Sequence, residues 1–213
     1  MTKPAARMTS RSLALASAPV PSYLSRPGGR IGYDVAAAWQ PGLVSGLVLI
    51  GPFVRDAEVS AVQRALLRLA MAPPWAARAW KAYLPKLYAG RRPADFGEYR
   101  DQVVASLRRP GYAKAFSRTA RISHDRAEAR LADVTAPALV VMGEQDPDFP
   151  DPRAEADWIA RALHAQVVMV PDAGHYPQSQ RPDITTAAVL RFLDSVSGHA
   201  SGPDSATPAG PRP

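Results

Sequence analysis

The chain has 213 residues, 46% of them hydrophobic, which suits one domain with a real core and room for an inserted subdomain. It contains no cysteine, so a disulfide scaffold, a thiol nucleophile and any cysteine-ligated metal are excluded. The net charge of +7 invites a nucleic-acid partner, but from Ala57 to Arg130 there are 15 Lys and Arg against 6 Asp and Glu, a net of +9. The excess therefore belongs to one middle segment, where no aromatics interleave with the basic residues as base stacking would need. It reads as a solvated, arginine-rich helical surface with no nucleic-acid partner. No apolar run approaches the roughly 20 residues that a membrane-spanning helix needs, so no membrane partner is expected and the cytoplasm is the expected compartment.

In chain order, residues 1–21 are basic, then Ser/Ala-rich, then proline-broken, and read as a disordered leader. Lys3, Arg7 and Arg11 before Leu13–Ala18 imitate a secretory signal, but the apolar part is shorter than the roughly 7–15 residues such signals use. Tyr23 to Val35 holds two short strand-like pieces around the Pro27-Gly28-Gly29 turn signal. Ala36 to Gly42 looks like the last turn of a helix closed by Pro41 and Gly42. Leu43 to Ile50 is a buried strand, ended by Gly51-Pro52-Phe53.

Residues 57–130 carry helical signals. Val59, Val62, Leu66, Leu69 and Ala70 share one face, and Pro73-Pro74 breaks that helix. Trp75, Ala79, Trp80, Tyr83 and Leu84 follow, then helical patterns over Tyr99–Leu107 and Ala113–Ile122. Residues 198–213 are rich in Ser, Gly, Pro and Ala with nothing to bury, and read as a disordered tail. The domain proper is thus expected over residues 22–197.

The chemistry sits between the helical segment and the tail. Ala138 to Met142 and Val167 to Val170 are short apolar, β-branched runs that stop abruptly in turn residues, as buried parallel strands do. Between them Ala154, Trp158, Ile159, Ala162 and Leu163 recur at helical spacing. This is a strand–helix–strand unit with Asp146 just past the first strand and His175 just past the second. Parallel strands end on the same edge, so both side chains are delivered to one rim. An imidazole held by a carboxylate is the base-and-orienter half of a nucleophilic triad. Asp148 competes with Asp146 as the acid; its other role would be to cap the helix that follows. Asp172 precedes the turn and reads as a turn residue.

The pattern Gly143-Glu144-Gln145-Asp146-Pro147, helix, strand, Gly174-His175-Tyr176-Pro177, Pro182 and a helix through Arg191-Phe192-Leu193 resembles the C-terminal part of the α/β-hydrolase superfamily. The resemblance runs from about Pro41 to Val196, with a weaker echo over Arg26–Val35. It implies an α/β fold with a mostly parallel sheet flanked by helices, and residues 57–130 as a helical cap inserted between two core strands. It implies Asp146 and His175 as the acid and the histidine, in the family's order of nucleophile, acid, histidine. It also implies hydrolysis of an ester- or amide-type bond in a small, fairly apolar substrate, without a cofactor or metal.

The family's Gly-x-Ser-x-Gly nucleophile elbow is absent, as is a His-Gly or Gly-Gly oxyanion loop after an early strand. Ser45, in Gly42-Leu43-Val44-Ser45-Gly46, is one position too late and leads into a strand, so it reads as a strand-start residue. The strand-like Arg30–Val35 abuts the helix-like Ala36–Trp39, as if the elbow-bearing block between them were deleted. The chain is then expected to be inactive as written, or to be a non-catalytic hydrolase-like domain used for binding or assembly. Lost central strands would leave sheet edges open, which favours a homo-oligomer. His124, His164 and His199 show no ligand spacing, so no metal site is expected. Trp75, Trp80, Tyr83 and Tyr88 read as core before pocket; Phe53, at the end of its strand, is the better pocket residue.

Overall fold

The computed structural model describes residues 12–17, 44–56, 60–73, 75–119 and 123–199. The strand-like pieces expected over Tyr23–Val35, the helix turn after them and residues 200–213 lie outside the described residues.

Among the described residues four parallel strands form one sheet: β1 (Ser12–Ser17), β2 (Val44–Ile50), β3 (Ala138–Gly143) and β4 (Gln166–Val170), side by side in that order. The register runs Ser17 to Ile50, Ile50 to Val141 and Val141 to Val168, so all four strands finish on one rim. Alternation along β2 and β3 feeds two cores on opposite faces. Leu47, Leu49, Val140 and Met142 pack with Ala156, Ile159 and Leu163 of a helix on one face. Val48, Ile50, Leu139 and Val141 pack with Phe192 on the other.

Those flanking helices have local causes. The helix beside β3, Pro152–Leu163, starts where Asp151 accepts the Ala154 amide at 2.9 Å, with Pro152 in the first turn where its missing N–H costs nothing. It stops at His164, which adopts the left-handed conformation at φ 51°. His164 is thus a helix terminator. The last helix spans Pro182–His199.

Between β2 and β3 the described residues include the helices α1 (Ala61–Ala70), α2 (Ala76–Leu87), α3 (Phe96–Leu107), α4 (Tyr112–Thr119) and a single turn, α5 (Asp125–Glu128). The helices after it are α6 (Pro152–Leu163), α7 (Pro177–Gln180) and α8 (Pro182–His199). Trp80, Leu84, Leu87, Tyr88, Phe96, Val103 and Leu107 build a third core, and Tyr176, next to His175, is buried in it. This core seats α2 and α3 over the rim where the strands end. The apolar stripe expected on α1 is present, yet it faces water: Val62, Leu66 and Leu69 are 69%, 60% and 58% exposed.

Two sequence expectations need correction. Residues 1–21 are not wholly an irregular leader, because Ser12–Ser17 is a strand pairing along β2, with a register irregularity that skips Ser45. The run Leu13-Ala14-Leu15-Ala16, followed by Ser17-Ala18-Pro19, has the same form as the other strands, an apolar stretch halted by turn residues. Gly198 and His199, expected to open the tail, belong to α8, which continues through His199.

Candidate active site

Asp146 and His175 meet although 29 positions separate them, with His175 Nδ1 and Asp146 Oδ2 2.7 Å apart. Both side chains are almost wholly buried, at 1% exposure for the histidine and 0% for the acid. A carboxylate only accepts, so the shared proton sits on Nδ1, which fixes the tautomer and leaves the Nε2 lone pair free to take a proton. Nε2 is buried and has no hydrogen-bond partner among the described residues. Asp146 Oδ1 accepts the Asp148 amide at 3.0 Å, so both oxygens of the acid are held.

The backbone brings the two loops together by close approach. At Gly143 a Cβ would lie 1.9 Å from Gly174 O, and at Gly174 one would lie 2.4 Å from Leu87 O. Only glycine lets the β3 exit, the histidine loop and the end of α2 cross at such spacing. The histidine loop is then pinned to residues 87–91. The His175 amide donates to Leu87 O at 2.8 Å, and Arg91 N donates to Asp172 O at 3.0 Å. Gly90 and Ala173 form an antiparallel bridge. Asp172 is a turn residue, as the sequence indicated, with φ at 55°.

Asp148 is not the cap of α6, a role taken by Asp151. It stands beside the pair, its Oδ2 3.5 Å from His175 Nδ1, and its Oδ1 accepts the Tyr83 hydroxyl from α2. Burial pushes the Asp148 carboxyl above the usual carboxylate range, and the charge of Asp146 adds to this, while His175 and Tyr83 oppose it. Burial and then Asp148 push the Tyr83 hydroxyl well up, so it stays a protonated donor. Tyr83 is therefore a site residue, whereas Trp80 and Tyr88 are core and Trp75 is 43% exposed. Phe53 lies against the imidazole, ring centroids 5.1 Å apart, and Tyr176 meets it edge-on at 5.1 Å. Phe53 also touches Phe149 and, at 6.4 Å, the ring of His124, which pairs with Asp56 at 2.6 Å.

Ser45 is the second residue of β2, five residues before Ile50 at the rim. At roughly 3.3 Å per residue it is about 16 Å along the strand from that end, which excludes it from the pair's surroundings. The serine that sequence reasoning passed over is Ser17, the last residue of β1, in register with Ile50 at the rim. Ligand atoms of Asp146, Asp148 and His175 lie within 4.8 Å of one another, close enough for a cation, but they are committed to each other and to Tyr83. His164 lies outside that group and His124 pairs elsewhere.

The sequence profile described as "Alpha/beta hydrolase family" matches residues 14–188. No curated protein matches. Among solved structures, the chain is similar to 2-hydroxy-6-oxo-6-phenylhexa-2,4-dienoate hydrolase from Rhodococcus sp. strain RHA1, with TM-score 0.66 and 13% identity over 86% of this chain and 64% of that one. It is similar to an esterase from Exiguobacterium antarcticum, with TM-score 0.65 and 13% identity over 87% and 67%. A thermophilic esterase from Thermogutta terrifontis matches with TM-score 0.55 and 25% identity over 76% and 61%. The chain spans about three-fifths of the length of several solved structures it matches, 62% and 59% in two others. A profile match over most of the chain, on a parallel sheet with its acid and histidine at one rim, has one reading: this chain belongs to the alpha/beta hydrolase family.

Proposed function

We propose that this chain carries the proton-transfer half of a triad for hydrolysing an ester- or amide-type bond in a small apolar substrate, and that it has no serine-hydrolase turnover of its own. The observation that carries the reading is the buried Nδ1–Oδ2 contact of 2.7 Å with Nε2 left unpartnered. In the reaction a nucleophile's hydroxyl would give its proton to His175 Nε2 as its oxygen attacks the carbonyl carbon. His175 would then pass that proton to the leaving group, and Asp146 would orient the ring and stabilise the imidazolium. Neither step needs a cofactor or metal. The helices between β2 and β3 would serve as the cap, with Phe53 and Tyr83 facing substrate, while Asp146 and His175 are the catalytic residues.

The inactivity follows from the missing elbow. The sequence contains no Gly-x-Ser-x-Gly elbow, and no described hydroxyl bonds to Nε2. Without the nucleophile and the oxyanion donors, little of the family's rate remains. Purified protein is expected to give no labelling with a fluorophosphonate probe and no burst with a nitrophenyl ester. Stoichiometric labelling lost in His175→Ala would overturn the inactive reading and leave the hydrolytic one, and Ser17 is the first residue to map. The alternative is a non-catalytic binding or assembly domain, in which the buried His175–Asp146 contact would serve only to tie two strand ends together.

A further inference from the structure

The side chain that most completely joins the histidine loop to the helical segment is one that neither the triad nor the family match assigns. Gln180 is the last residue of α7 and is 2% exposed. Its Oε1 accepts the Gly174 amide at 2.9 Å and the Tyr176 amide at 3.4 Å, the two residues flanking His175. Its Nε2 donates to Ala89 O at 2.7 Å and to Arg91 O at 2.7 Å. All four valences of one amide are thus used, two as acceptor and two as donor. The reverse orientation would set NH2 against two amides and the oxygen against two carbonyls, so the network assigns the orientation.

We propose that Gln180 is the positioning residue of His175, holding the backbone on both sides of the histidine at a fixed height over the sheet by reading the main chain at Ala89 and Arg91. The inference rests on the reading of His175 as a proton-transfer group. With the His175 amide already on Leu87 O, three consecutive amides are fixed, two of them by this one oxygen. A displacement of residues 87–91 would therefore reach the imidazole through Gln180. A neutral amide is required. Glutamate would keep the acceptor for Gly174 but turn a second oxygen onto two carbonyl oxygens, and a buried repulsion of that kind cannot be screened. Methionine has a similar length and would lose all four bonds.

The test uses the full chain and needs no turnover, so an enzymatically silent protein still decides it. In the wild type the Gln180 side-chain protons are expected to exchange with solvent within about tenfold of the Gly174 amide rate, because one opening exposes both. In Gln180→Glu and Gln180→Met the Gly174 and Tyr176 amides should exchange at least about tenfold faster, while Val140 and Val141 at the sheet centre stay unchanged. The downfield proton NMR signal of His175 Nδ1–H, the signature of its bond to Asp146, should broaden or disappear in both variants. A merely structural glutamine would slow or speed all these amides together and leave that signal in place. The inference is overturned if the signal and the Gly174 rate survive both substitutions. It is equally overturned if the wild-type Gln180 protons exchange as freely as those of a surface glutamine, a measurement that stands even if a variant fails to fold. Fluorophosphonate labelling tests the hydrolytic reading separately, and neither outcome there changes these rates.

Discussion

At the scale of single residues the site contains two carboxylates with opposite settings. Asp146 has both oxygens occupied, by His175 Nδ1 and the Asp148 amide. Asp148 keeps a hydroxyl donor, Tyr83, but burial disfavours its charge. An acid whose carboxyl is raised on folding binds its proton more tightly in the native state. Its ionisation therefore costs stability as pH rises from the ordinary value of 3.8 through the raised range, and the cost is relieved as pH falls back. Asp148→Asn keeps an acceptor for Tyr83 and removes that charge. It is expected to be at least as stable as wild type at neutral pH, with a flatter dependence of unfolding free energy on pH below neutrality, as read by urea titration. Asp146→Ala should behave differently, since it strands a buried imidazole N–H, at a cost of about 1–3 kcal/mol. Equal pH dependence in wild type and Asp148→Asn would show that Asp148 is not the titrating group.

At the scale of elements, what decides the rim is how closely three backbone segments cross. A methyl at Gly174 would sit 2.4 Å from Leu87 O and 2.9 Å from Ala89 N, contacts that only movement of α2's end or of the histidine loop can relieve. Gly174→Ala is therefore expected to lower stability by about 1–3 kcal/mol in denaturant unfolding and to disturb His175 without touching its ring. Wild-type stability in that variant would mean the crossing is loose. The sequence made β2, β3, β4 and α6 legible because each strand is an apolar run cut off by turn residues, and α6 carries its apolar face at helical spacing. The Asp146–His175 pair was legible for the same reason, since parallel strands deliver both ends to one rim. Strand β1 was not, because alanines and serines followed by prolines look alike in a leader and in a short strand. The pinning of residues 172–180 to 87–91 was also hidden, being made largely by backbone groups, which leave no mark in side-chain periodicity. Gln180 reads in sequence as one polar residue among several before a proline.

At the scale of the molecule, the sheet among the described residues is narrow, with β1 on one side and β4 on the other. The middle residues of β4 are only half-buried, and parallel strands are rarely stable with an uncovered flank. Self-association through such an edge is the expected remedy. Light scattering should then give a mass above the 22.8 kDa of the single chain, rising with concentration. A constant monomer mass from micromolar to millimolar protein would rule this out. The exposed basic surface between β2 and β3 works against contacts on that side, because each copy brings the same net +9.

The long connection between β2 and β3 also sets the order in which the chain can become native. Leu47 and Ala138 pair across 91 positions (138 − 47), whereas Leu139 and Gln166 pair across 27 (166 − 139). Closing the longer loop costs about 1 kcal/mol more in chain entropy, before the helices inside it have made any contact. The β3–α6–β4 unit is the local part, and it carries both Asp146 and His175. Pulse-labelled refolding should protect Val140 and Val168 earlier than Leu49, with the amide of His175 last because its acceptor, Leu87 O, arrives with the helices. On that order the acid and the histidine are expected to meet early, in water, with the scaffold closing over them afterwards.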